Sequence, residues 1–298
     1  GGGSSGSGAI SSFDTTNAVL MEPTFSNATK LANIVQRNPQ DQYSLNAVMD
    51  NQGTNILPSI VKMLDTFKET HKTEQYAINR IIKGSEPCED GGFLTANGSV
   101  NSNNGSAVLN YQNCDEGGIV MNGSAIISVW EYLEDYDDYS RVSTNFVSDF
   151  TMTNNSGEIT TILARSSAFI NNLDFDYYWG AIEMDMKVTA FYIENGITYG
   201  QENSNIYFNR ENISRPYFYY KSGRFYIDNL EKYAEYDTSY DMSYTPFRLD
   251  LDGDLRSGEA WFTMANGGRA AIKDYFGGIQ VELDTDGDGY SDYSQVFF

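Results

Sequence analysis

Positive charge is scarce in this chain. Lys and Arg number 19 against 41 Asp and Glu, a formal net charge of -22 over 298 residues. Such a surface repels phosphate backbones, which sets nucleic-acid binding aside, and it is repelled by anionic lipid headgroups. Histidine is scarcer still. His71 is the only one, so no second imidazole or thiolate is at hand to build a catalytic triad with it. It reads as a solvated helix residue. The two cysteines, Cys88 and Cys114, are too few for a structural zinc site. No apolar run approaches the roughly 20 residues of a membrane-spanning helix. No signal peptide is visible, so the chain reads as mature or cytoplasmic, and its other features favour mature and exported. A phosphate-cradling glycine loop, a zinc signature and a nucleophile elbow are likewise missing. Together these exclusions leave a soluble extracellular protein that is not an enzyme, with chain enough for one large β-domain or two units.

What is present is alternation. In Ala181–Tyr192, Ile182, Met184, Met186 and Val188 share one parity while Glu183, Asp185, Lys187 and Thr189 share the other. A period of two predicts a strand with one buried and one wet face. Asn195-Gly196 follows, the preferred pair for a tight hairpin turn, and a second strand returns over Ile197–Phe208. Tyr217–Tyr220, Ser222-Gly223 and Arg224–Ile227 read as another hairpin. Phe247–Leu251, Glu259–Met264, the Asn266-Gly267-Gly268 turn, Ala270–Tyr275 and Ile279–Leu283 continue the series. No helix-length crossovers intervene, so the sheet is antiparallel and built from sequential hairpins. Aromatic content of 14% fits β-propensity. Exposed stacking platforms for sugars, with Trp130, Trp179 and Trp261 as candidates, are the sharper alternative.

Helical periodicity is confined to the N-terminal part. Residues 28–37 predict a short helix with Leu31, Ile34 and Val35 inward. Residues 56–82 carry the clearest three–four spacing, through Ile60, Val61, Leu64 and Phe67 to Ile78, Ile81 and Ile82. The predicted fold is therefore mainly β with a small helical region: an antiparallel hairpin-built sandwich or curved sheet packed on one or two N-terminal helices. The divisions are a flexible tether or donated strand over 1–20, a helical region over 21–86 and an antiparallel β-domain over 87–298.

Cys88 and Cys114 lie near the base of two arms, F-L-T-A-N-G-S-V and S-A-V-L-N-Y, joined by a turn-rich tip at Asn101–Gly105. In an exported setting this predicts a disulfide, with free buried thiols as the alternative. The run C-E-D-G-G-F-L-T-A-N-G-S, then N-Y-Q-N-C, then G-G-I-V-M-N-G-S-A resembles a pattern in β-rich lipoproteins of Gram-negative bacteria, matching at Cys88, Gly91, Gly92, Asn113, Cys114, Asn122 and Gly123. The resemblance implies the extracellular or outer-membrane surface as the address and implies no activity. The Gly/Ser run at 1–8 is similar to the tether that follows the lipidated Cys of such proteins. That Cys is missing here, so a lipid anchor upstream and an expression scar both remain open.

The strongest motif is Asp284-Thr-Asp286-Gly-Asp288-Gly-Tyr290-Ser-Asp292. Carboxylates at positions 1, 3, 5 and 9 with Gly at 6 are the ligand spacing of a calcium loop, with the Tyr290 carbonyl at position 7. It resembles the D-x-D-x-D-G loops of EF-hands, dockerins and thrombospondin-type repeats, and departs from an EF-hand at Gln295 and in lacking flanking helices. A β-flanked loop that binds calcium is the expectation. Asp250, Asp252 and Asp254 form a weaker echo. Glu131, Glu134, Asp135, Asp137 and Asp138 read as a solvated acidic loop, since no pair stands out as a glycosidase acid and nucleophile.

The function expected from these features is a non-enzymatic, secreted or cell-surface structural protein. A filament subunit joined by N-terminal strand addition, with Ile10, Phe13, Val19 and Leu20 as the assembly residues, is its sharpest form. A surface carbohydrate- or ligand-binding lipoprotein is the alternative.

Overall fold

The computed structural model describes residues 13–35, 67–68, 80–101, 103–177, 180–209, 217–237, 247–249, 255–275 and 278–297. In chain order they form β1 (Val19–Leu20), helix α1 over 25–35, β2 (Arg80–Pro87), β3 (Gly91–Val100), β4 (Asn104–Glu116), β5 (Ile119–Leu133), β6 (Asp138–Phe146), β7 (Phe150–Thr153), β8 (Ile159–Ile162) and β9 (Ser167–Asp176). The second half adds β10 (Gly180–Glu194), β11 (Ile197–Asn209), β12 (Tyr217–Ile227), β13 (Lys232–Asp237), β14 (Phe247–Leu249), β15 (Leu255–Ser257), β16 (Glu259–Thr263), β17 (Arg269–Tyr275), β18 (Gly278–Asp284) and β19 (Tyr293–Phe297). The chain is mainly antiparallel β, as its alternation predicts.

Nearly every strand lies beside its sequence neighbour. β2 through β5 form a meander. β6 and β7 together line the far side of β5, and β8 and β9 together line β10, so each pair behaves as one long strand broken at a kink. Side chains mend the ladder at those kinks. Ser148 Oγ accepts from the Ser124 N–H, Asp149 Oδ1 from the Ala164 N–H and Ser166 Oγ from the Phe191 N–H. β11, β12 and β13 follow, then β16 to β19.

Register makes one face of this sheet continuous. Val129, Val142, Ile170, Met186, Ile206 and Tyr220 stand opposite one another in turn across β5, β6, β9, β10, β11 and β12, and all are buried. The adjacent row, Trp130, Arg141, Asn171, Asp185 and Tyr207, faces the other way and is none of it buried. α1 covers the buried face at the β9–β18 end, where Leu31, Ile34 and Val35 join Met186, Phe208, Phe262 and Val281. Phe67 seals the other end among Leu109, Ile127 and Tyr139.

Three expectations need correcting. Helical periodicity does not extend to residue 82: Arg80–Pro87 is a strand paired with β3 along its whole length, so the helical region ends before residue 86. Short apolar runs such as Ile81-Ile82 serve either period, and pairing with an adjacent hairpin decides. Ser222-Gly223 is not a hairpin turn. Tyr217–Ile227 is a single strand, and Gly223, at φ 150°, marks a bulge where a β-carbon would lie 2.7 Å from the Ser204 Cα. Asp138 is not solvated. It is buried, accepts hydrogen bonds from the N–H groups of Tyr139 and Ala181, and has the Lys68 ammonium 3.8 Å away. Ile10, His71, Trp179 and Asp250–Asp254 lie outside the described residues.

Candidate functional site

The Asp284–Asp292 loop joins β18 to β19, so its two ends are held by the ladder that pairs Leu283 with Tyr293. Asp284 is buried, and its carboxylate organises the turn: Oδ1 accepts from the Gly287 N–H at 2.7 Å and Oδ2 from the Gly289 N–H at 2.9 Å. Asp292 reaches back across the loop, its Oδ2 accepting from both the backbone N–H (2.7 Å) and the hydroxyl (2.5 Å) of Thr285. Those two bonds, the hydroxyl's foremost, hold the Asp292 carboxyl below the usual carboxylate range.

One oxygen each from Asp284, Asp286 and Asp292 lies within 4.8 Å of the others. Three converging carboxylates suit a hard, oxygen-seeking divalent cation. A carboxylate offers about four lone-pair positions, so the N–H bonds to Asp284 leave it able to ligate. The donor set fits calcium. Asp288 is not part of that group: its Oδ1 accepts from the Tyr290 N–H at 2.8 Å. Tyr290 is exposed. In the sequence, the readable trace of this brace is a hydroxyl at position 2 of the motif, Thr285, opposite the acid at position 9, Asp292. The loop packs on the Asn266-Gly267 turn, with the Gly267 carbonyl oxygen 2.7 Å from where a Gly287 β-carbon would stand.

Cys88 and Cys114 are bonded to each other, with Cα atoms 5.4 Å apart. The register that brings them level depends on a bulge in β4: Tyr111 faces Gly123, but Cys114 faces Met121. Asn113 takes a positive φ of 48° there, and its N–H donates to Asn122 Oδ1 at 2.7 Å. Gly92 lies against the same turn of backbone. The residues Gly92, Asn113, Cys114, Asn122 and Gly123 are therefore parts of one bulged, cross-linked hairpin base.

The N-terminal residues come to rest on their own sheet. Val19 and Leu20 pair with Lys232 and Tyr233, the only parallel pair among the described residues. Phe13 packs on Phe191 with the rings tilted by 33° and their centroids 4.0 Å apart, and with Ala18 it lies on a small separate cluster of Leu163, Phe191, Tyr226 and Leu230. Beneath it, the Tyr226 hydroxyl donates to Glu202 at 2.6 Å, and burial followed by that bond pushes the phenol up to about 12. The apolar run Ala190–Ile193 breaks the alternation of β10, and that break is the readable trace of Phe191 serving a second core. Elsewhere, α1 and the β10–β11 turn enclose a cavity of about 320 Å³ bordered by Lys30, Ile34, Glu194, Tyr199 and Asp228.

Compared with known proteins, the chain matches no family model, no curated protein and no solved structure.

Proposed function

We propose that the protein is a secreted or cell-surface structural protein of a Gram-negative bacterium, with no reaction to run, that assembles with copies of itself into a filament through its N-terminal segment. The observation that carries this reading is the N-terminal segment laid on the sheet: Val19 and Leu20 add to the edge of β13 ahead of its pairing with β16, and Phe13 packs on Phe191. Strand addition to such an edge is a recurrent way for chains to join. The Cys88–Cys114 bond supports an oxidising compartment. The strongly acidic surface suits a solvated, calcium-rich exterior. Asp284, Asp286 and Asp292 would hold calcium, whose contribution there is to brace the β18–β19 connection. Negative-stain microscopy and sizing of the full chain, and of a chain lacking residues 1–20 checked for folding by circular dichroism, test the reading. Polymers that need residues 1–20 are expected; identical monomers in both preparations would sink it.

A second reading, binding of a surface carbohydrate, is favoured by the outer face of the sheet. There Trp130 packs beside Phe169 at 6.2 Å, Tyr207 beside Tyr217 at 6.2 Å, and Arg141, Asn171 and Asp185 lie between them. Aromatic faces with a polar rim suit an uncharged sugar chain on a surface this acidic. Glycan-array binding that is lost in Trp130→Ala would select this reading.

A further inference from the structure

We infer that the edge of β13 from Glu231 to Tyr233, with the cluster of Leu163, Phe191, Tyr226 and Leu230 beside it, is an acceptor site for residues 13–21 of a second copy of this chain. The inference rests on the self-assembling reading above and assigns its joint.

Topology singles the segment out. The pairings among β2–β19 are antiparallel, most of them between sequence neighbours, whereas β1 enters in parallel from the opposite end of the chain. β16 covers β13 only where Glu235 faces Thr263. Among the described residues, the preceding stretch of edge is occupied by β1: the Val19 N–H donates to the Glu231 carbonyl at 3.0 Å and the Met21 N–H to the Tyr233 carbonyl at 2.8 Å. On the other side of the segment, the Ala265 N–H donates to the Met21 carbonyl at 2.8 Å. The segment is thus a wedge between β13 and the β16–β17 turn, anchored by Phe13 at one end and buried Met21 at the other.

A wedge supplied by a neighbouring copy makes the same hydrogen bonds and ring contacts as one supplied in cis. Exchange therefore costs little in contact energy and is driven by protein concentration against the effective concentration of the tethered segment. The connection to α1 is Glu22–Thr24, which spans at most roughly 10 Å when extended.

The test uses full-length Val19→Cys and Lys232→Cys chains, which face each other in the ladder. Both native cysteines are already bonded, so no other thiol competes. The two single variants are mixed at high concentration and oxidised, beside each variant alone and beside the double variant over a dilution series. The expected result is several-fold more disulfide-linked dimer in the mixture than in either variant alone, with the double variant shifting to cross-linked monomer on dilution. Cross-linked monomer at every concentration, with no excess dimer in the mixture, overturns the exchange. No cross-link in any preparation overturns the ladder register and the inference with it. Filaments seen by microscopy despite either negative result leave the structural reading standing and move its joint elsewhere; no filaments and no links remove both.

Discussion

The backbone at Gly92 approaches Asn113 so closely that a β-carbon on Gly92 would stand 1.9 Å from the Asn113 carbonyl oxygen. Gly92 also takes a φ of 75°, a region that side chains with a β-carbon rarely enter. Gly92→Ala is therefore expected to destabilise the fold by about 2–4 kcal/mol, read as a lower urea midpoint. Asn122→Ala, which strips the Asn113 N–H of its acceptor at an exposed site, is expected to cost only about 0.5–1.5 kcal/mol. Equal effects would mean that the bulge is held by the side chain and not by the close approach.

The disulfide closes a loop with a sequence separation of 26. Loop-closure entropy for that length predicts that reduction, or a paired Cys88→Ser and Cys114→Ser change, lowers stability by about 3–4 kcal/mol. Chemical denaturation with and without reductant measures it. No difference between the two curves would show that the β2–β5 meander holds its register unaided.

Calcium is expected to raise the melting temperature and a chelator to reverse the rise, followed by scanning calorimetry. Asp286→Ala should abolish the rise and lower the chelator-treated melt only slightly, since all it gives up there is a 3.2 Å bond from the exposed Asp288 N–H. Asp284→Ala should lower both, because the N–H groups of Gly287 and Gly289 lose their acceptor as well. A calcium response that survives Asp286→Ala would place the ion elsewhere.

Acid should weaken the fold through its depressed carboxyls. Asp14 is held low by the Thr16 hydroxyl and N–H, Glu22 by its own N–H and then by Lys232, and Asp292 by the Thr285 hydroxyl and N–H. Each pKa is lower in the folded chain than in the unfolded one. The stabilisation is therefore fully present above the ordinary carboxylate range of about 4 and is lost as pH falls through the folded values. Thr285→Val should bring the Asp292 titration back toward that range, observable by NMR of the carboxyl carbon. An unchanged titration would remove Thr285 as the cause.

Much of the sheet was legible because side-chain alternation is a local property. Met184, Met186 and Val188 are buried, and Asn195-Gly196 turns the chain where Glu194 faces Ile197. Leu31, Ile34 and Val35 point inward from α1 as their spacing predicts. Signals failed where one local pattern serves two outcomes. Ser222-Gly223 suits a turn and equally a bulge, and pairing of β12 with β11 on both sides of it chose the bulge. In the acidic loop, spacing identified Asp284, Asp286 and Asp292, but Asp288 followed its own backbone and left the group.

Periodicity, turn pairs and charge balance together determined that this chain is an acidic, mainly antiparallel β-protein built from sequential hairpins. They act between residues close in the chain, so no tertiary information was needed to read them. Tertiary structure alone decided that Val19 lies beside Lys232, that Phe13 covers Phe191 and that Asp138 is buried under Lys68. Each of those contacts joins residues remote in sequence. Which open edge or apolar hollow a remote segment occupies depends on how the whole sheet twists and kinks, and that geometry exists only once the long strands have paired.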